Sequence, residues 1–207
     1  PIGNGAAVSV WDIDDIIILG GCTSARSDTT SIRGIVKTKE GKPVRGVEMQ
    51  LTENSANSMT SSQMTNADGI YSFEHLSQGH PYTLKAYKND DVLNGVNTLD
   101  LYLIQRHLLG ITPFISLHQY IAADVNRSGT VNVYDLVILR KLLLGIYSTF
   151  PGNTSWRFGP MSQVMHGRKI NLFKELRNFE YLDQSNTEVE FIGIKIGDVN
   201  GDARAGN

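Results

Sequence analysis

Cysteine is nearly absent. Cys22 stands alone in 207 residues, so no internal disulfide framework can hold the chain, and the usual fate of such a thiol is burial as a small apolar side chain. Charge excess is also missing. With 19 Lys and Arg against 21 Asp and Glu, formal net charge is −2 and no Lys/Arg run occurs, which argues against nucleic-acid or anionic-membrane partners. No apolar stretch approaches the eighteen or so residues needed to span a bilayer. The five histidines are scattered without metal-ligand spacing. Neither a Ser-nucleophile elbow, a phosphate loop nor a His-Glu metalloprotease helix is present, so the chain reads as non-enzymatic.

What is there is a repeat. Val96-Asn97-Thr98-Leu99-Asp100-Leu101 through Gly110-Ile111 returns 35 residues later as Val131-Asn132-Val133-Tyr134-Asp135-Leu136 through Gly145-Ile146. Each copy reads as one loop-helix unit, with apolar stripes of Leu101, Ile104 and Leu108 and of Leu136, Leu139 and Leu143 at helical spacing. These stripes are expected to pack on each other. The second copy is preceded by oxygen-bearing side chains at Asp124, Asn126, Ser128, Asn132 and Asp135, which are positions 1, 3, 5, 9 and 12 of a twelve-residue calcium loop. Gly129 at position 6 permits the turn, and Thr130 offers its carbonyl. The plainer reading is an Asn/Asp/Gly turn that caps a helix.

These residues resemble the dockerin family over about 60 positions, with Asp rather than Glu at position 12 and Leu-Leu-Gly closing each unit. The resemblance implies bound Ca2+ and a cohesin domain as partner in an extracellular complex. Positions 10 and 11 read Thr98-Leu99 and Val133-Tyr134, where many dockerins carry a cohesin-recognising Ser-Thr pair, so a cohesin-tethering adaptor stands as the alternative function.

The first copy is incomplete. It keeps Asn97 and Asp100, but Asn89, Asp91 and Leu93 stand where the second copy has Asp124, Asn126 and Ser128. The terminal Asp198-Val199-Asn200-Gly201-Asp202 carries oxygens at positions 1, 3 and 5 of such a loop and lacks the remainder. Three readings stay open: one split site shared by the two fragments, a looser Asn89/Asp91 site, or two solvated turns.

Upstream, period-two alternation over Ile32–Val36, Val47–Leu51, Ile70–Phe73 and Tyr82–Ala86, with turns at 40–43 and 66–69, predicts a small sandwich. Asn66 and Asp68 are expected to form a turn. Gly41-Lys42-Pro43-Val44-Arg45-Gly46-Val47 and Asn66-Ala67-Asp68-Gly69-Ile70-Tyr71-Ser72-Phe73 look like the carboxypeptidase-regulatory-like family. That likeness implies a transthyretin-like spacer without catalytic residues, as in surface proteins of Bacteroidetes-type bacteria. Residues 189–196 alternate as a further strand.

Before the sandwich lies an apolar strand, with Val8, Val10, Ile13, Ile16 and Ile18 as candidates for strand exchange between protomers. The first residue is Pro1 rather than Met, and the chain is read as a processed, secreted product. Thr29 within Asp28-Thr29-Thr30 and Asn153 within Asn153-Thr154-Ser155 match short glycosylation patterns. The expected class is α+β, multi-domain: an N-terminal strand and linker (1–30), an Ig- or transthyretin-like sandwich (31–88) and a dockerin-like calcium module (89–207). The expected role is a structural module of a surface adhesin or fibre, with itself or other surface proteins as partners.

Overall fold

A strand with one apolar face is stable only when that face is covered, and here two sheets cover each other. The computed structural model describes residues 29–205 apart from 57, 163–168 and 185–186. The N-terminal strand candidates and Cys22 lie outside the described residues. Five strands come first: β1 (Thr29–Thr38), β2 (Glu48–Glu53), β3 (Thr60–Met64), β4 (Ile70–Ser77) and β5 (Tyr82–Tyr87). Alternation sets their inner faces, as in β5, where Tyr82, Leu84 and Ala86 are buried. The Asn66 side chain accepts the N–H groups of Asp68 at 3.0 Å and Ile70 at 2.9 Å, and Gly69 takes φ +72°, so this segment is the expected turn.

The sheets are completed from the far side of the helices. β6 (Trp156–Pro160), β7 (Leu176–Phe179) and β8 (Phe191–Lys195) give the orders β4-β1-β8-β6 and β3-β2-β5-β7, with β1 and β8 parallel. One apolar core draws Ile32, Phe73 and Phe191 from the first sheet and Met49, Leu84 and Phe179 from the second. Residues 156–195, assigned from sequence to the calcium module, thus supply three of the eight described strands. β8 falls within the strand expected at 189–196, whereas β6 is buried at all five positions and has no polar face to mark its period.

Between β5 and β6 lie α1 (Thr98–Leu108), α2 (Leu117–Ala123) and α3 (Val133–Leu143). α2 lies between the two predicted loop-helix units, where no element was expected. Its start is a capping box, with the Ser116 hydroxyl accepting from Gln119 N–H and the Gln119 side chain reaching back. Of the predicted stripes, Ile104 and Leu139 are fully buried, whereas Leu101, Leu108, Leu136 and Leu143 are half-buried. The helices pack in a second core with Ile194, Ile196 and Val199, while Phe191, Ala203 and Ala205 belong to the sheet core. The last described segment therefore runs through both cores.

β1 and the segment before β8 approach very closely at Gly34. A Cβ there would lie 1.8 Å from the Val189 carbonyl oxygen, which Tyr71 Oη also holds at 2.6 Å. Backbone bonds Arg33 N–H to Thr187 O and Val189 N–H to Arg33 O prevent an easy shift. Gly34→Ala is expected to cost about 1–3 kcal/mol, seen as a lower urea midpoint at unchanged m-value. An unmoved midpoint would contradict this packing.

Candidate metal centre

The repeat in sequence is a repeat in geometry. Asn97 and Asn132 cap α1 and α3 with the same backbone angles (φ −148° in both, ψ −174° and −176°), and each accepts the N–H two residues on. Asp100 and Asp135 reach back to the Asn97 and Asn132 N–H groups at 2.9 Å. At the other ends, Gly110 and Gly145 take φ +70° and +69°, so that the Ile111 and Ile146 N–H groups return to the Arg106 and Lys141 carbonyls. This glycine-terminated end satisfies the last-turn carbonyls and stops each helix at the same point.

In the second copy, Asp124 follows α2 directly. Its carboxylate accepts Ser128 N–H at 2.8 Å and Gly129 N–H at 2.9 Å, which curls the loop around it, and Gly129 takes φ +83°. Asn126 Oδ1 accepts Ser128 N–H at 3.0 Å, and Asn126 N–H points to Asp135 at 3.4 Å. Asp124, Asn126, Ser128, the Thr130 carbonyl and Asp135 are thus held in one turn, with Asn132 as the cap. The set is all oxygen, the chemistry of a hard cation.

A second such turn forms from separate pieces. Asp198 accepts Gly201 N–H at 2.7 Å, Asp202 N–H at 3.2 Å and Ala203 N–H at 2.9 Å, and Asn200 Oδ1 accepts Asp202 N–H at 3.1 Å. The Val199 N–H donates to Asp100 at 2.9 Å, placing this turn against the start of α1. Asn94 closes the cut with two bonds, donating to the Arg204 carbonyl at 2.8 Å and accepting Arg204 N–H at 2.9 Å. Asp198, Asn200 and Asp202 share this turn, and Asp100 meets it through the Val199 N–H, with Asn97 as the cap. The Asn89/Asp91 alternative is not assembled: Asn89 accepts Ser155 N–H at 2.9 Å, Asp91 is exposed at φ +45°, and Leu93 has no oxygen to offer.

Burial raises Asp100 and Asp135 from the usual 3.8 to about 6, with like-charge repulsion adding to it, from Asp198 and Asp202 in one case and Asp124 in the other. Asp198 is also raised, again chiefly by burial. Among the described residues no three acidic, histidine or cysteine side chains form a cage. The turns instead mix carboxylates with amide, hydroxyl and carbonyl oxygens, and their own N–H groups hold the carboxylates.

Several supports escape a sequence reading. Glu175 pairs with both Arg127 of the loop and Arg157 of β6, the latter at 2.6 Å. Lys195, buried and lowered to about 8 chiefly by burial, donates to the Val92 and Ser155 carbonyls. Asn153 turns its amide onto the Asp124 and Val125 carbonyls, a structural use that competes with its candidacy for glycosylation.

The repeated helices also share a surface. A groove of about 520 Å³ runs between α1 and α3, lined by Leu101, Leu108, Leu109, Leu136, Val137 and Leu144 among others. The only carboxylates on these two helices, Asp100 and Asp135, are buried, so the helix pair presents exposed Arg140 and half-buried Arg106 and Lys141 with no carboxylate of its own beside them. Arg106 rests on the Tyr102 ring and Lys141 on the Tyr147 ring.

Residues 89–144 match the family described as the dockerin type I domain. No curated protein matches the chain. No helix among the described residues is long and apolar enough to cross a membrane.

The carboxyl shifts give a pH test. A folded-state value near 6 against 3.8 unfolded means that the folded chain favours the proton, so this stabilisation is complete below about pH 4 and lost as pH rises through about 6. For calcium-depleted protein, Asp135→Asn is expected to flatten the fall in melting temperature between pH 4 and 7. A slope identical to wild type would contradict the buried-carboxylate account.

Proposed function

We propose that this chain is a non-enzymatic, extracellular tethering module in which calcium organises the two loop-helix units and the α1–α3 face docks a cohesin-like domain. Dockerin modules bind calcium through paired loops, bind cohesin domains and carry no catalysis of their own, and the dockerin type I match over 89–144 supports the reading. The observation that carries it is the repetition of the face: Leu109 and Leu144, Arg106 and Lys141, and Leu101 and Leu136 occupy equivalent places on two helices with equivalent caps. An apolar groove with a cationic border suits a partner with an apolar centre and acidic rim.

Asp124, Asn126, Ser128, the Thr130 carbonyl and Asp135 would hold the ion, with Asn132 at the position often bridged by water. Bound calcium supplies positive charge to carboxylates that burial otherwise disfavours. Residues of the loop hold the ion in place and fix the start of α3. With two carboxylates in this loop, affinity of roughly 10⁻⁴ to 10⁻³ M is expected.

The two-sheet unit is read as a transthyretin-like spacer, supported by its single core between sheets. The adhesin or fibre reading takes second place. It rests on residues 7–19, outside those described, and on β3, an edge strand exposed at all five positions and free of charge, which a strand from a second copy would fit. Glycosylation of Thr29, exposed at the start of β1, belongs to the same surface-protein reading.

Surface plasmon resonance against immobilised cohesin domains tests the main reading. Binding is expected in calcium and not in chelator, and the double variant Leu109→Glu/Leu144→Glu should weaken it by about 30-fold or more while calcium still raises the melting temperature. Binding that survives both chelator and the double variant would refute this face as the docking site.

A further inference from the structure

We propose that the second calcium ion of this chain is held by a loop assembled across the molecule, with Asp198, Asn200, Asp202 and the Arg204 carbonyl as its opening half and Asp100 of α1, with Asn97, as its closing half. This rests on the calcium reading of the Asp124 loop. It goes beyond the family match, which ends at residue 144 and leaves the opening half outside it.

The two turns correspond position by position. Ser128 and Gly129 N–H groups donate to Asp124 as Asp202 and Ala203 N–H groups donate to Asp198. The Asn126 and Asn200 side chains each accept the N–H two residues ahead. Asp135 receives Asn132 N–H and, from its opening half, the Val125 and Asn126 N–H groups; Asp100 receives Asn97 N–H and, from its opening half, that of Val199, the counterpart of Val125. One opening half leaves a helix and the other leaves a strand, yet they lie side by side, joined by Gly197 N–H to Ala122 O at 2.8 Å.

The donor set selects the cation. Three carboxylates, an amide oxygen and a peptide carbonyl offer only hard oxygens, and a position-9 Asn commonly acts through water. Calcium accepts six to eight such ligands in irregular geometry, whereas magnesium demands a near-ideal octahedron and gives up its water reluctantly. The assembled loop has one carboxylate more than the Asp124 loop, Asp202 standing where Ser128 stands in the other.

Its position makes it a clasp. Ala203 and Ala205 sit in the sheet core, Val199 in the helix core, and the ion lies between them with α1 as the other jaw. Close contact backs this up: a Cβ at Gly95 would fall 2.6 Å from Ala203 Cα. Calcium at this site therefore couples the docking face to the sheets, so that a pull on one is carried by the other.

Calorimetry of the full chain titrated with CaCl2, joined to amide hydrogen exchange, tests the proposal. Two ions per chain are expected. Asp202→Asn, at an exposed side chain, and Asp100→Asn should both weaken the same ion by about tenfold or more, and Asp135→Asn the other. Calcium should slow exchange over residues 199–205 in wild type and in Asp135→Asn but not in Asp202→Asn. If Asp100→Asn fails to fold, Asp202→Asn still decides the matter. A single ion, lost only in Asp135→Asn, overturns the clasp and leaves the dockerin reading intact; no ion at all overturns both.

Discussion

A carboxylate withdrawn from water must find hydrogen bonds or a cation, and Asp100 and Asp135 are both wholly buried. Each gives one oxygen to the start of its own helix and faces another piece of chain with the rest: Val199 in one case, Asn126 in the other. The placement of α1, α3 and the last described segment follows from this requirement. Burial raises both carboxyls, so a bare charge at either position is opposed unless hydrogen bonds or a cation offset it. The oxygens around them are of the hard type that calcium coordination uses, so the constraint behind the local fold is also the one behind the proposed calcium sites.

The topology turns that local device into a property of the whole chain. Strands on both sides of the helices share two sheets, and the segment 191–205 leaves the sheet core, passes through the helix core and returns. The helices are thereby held at their entry, through the Asn89 side chain on Ser155 N–H, and at their exit, through Glu175 and Lys195. The α1–α3 face on such a frame has little freedom to swing, which suits the tethering role proposed for it.

Much of this was legible. Period-two alternation marked β1, β2, β4 and β5, and the 35-residue repeat marked α1 and α3 with their caps and glycine ends. The terminal half-loop and the half-loop ending at Asp100 carry complementary ligand positions in the sequence, and the structure sets Val199 N–H against Asp100. The rest was hidden for physical reasons. β6 is buried on both faces and shows no period, β3 has Met64 as its one apolar side chain, and buried Arg157 is paired with Glu175 from a distant segment. The sequence boundary after residue 88 followed a change in composition, whereas the sheets are closed by strands distant in the chain. α2 was missed although Ser116 and Gln119 spell a capping box.

The central claim is that two oxygen-lined turns, one continuous and one assembled, hold calcium and thereby build the helix pair. A crystal structure of the full chain grown with calcium, with anomalous difference maps at long wavelength, tests it most directly. The account predicts two peaks, one within reach of Asp124 and Asp135 and one between Asp198 and Asp100. A map without density beside Asp124 and Asp135 would contradict it.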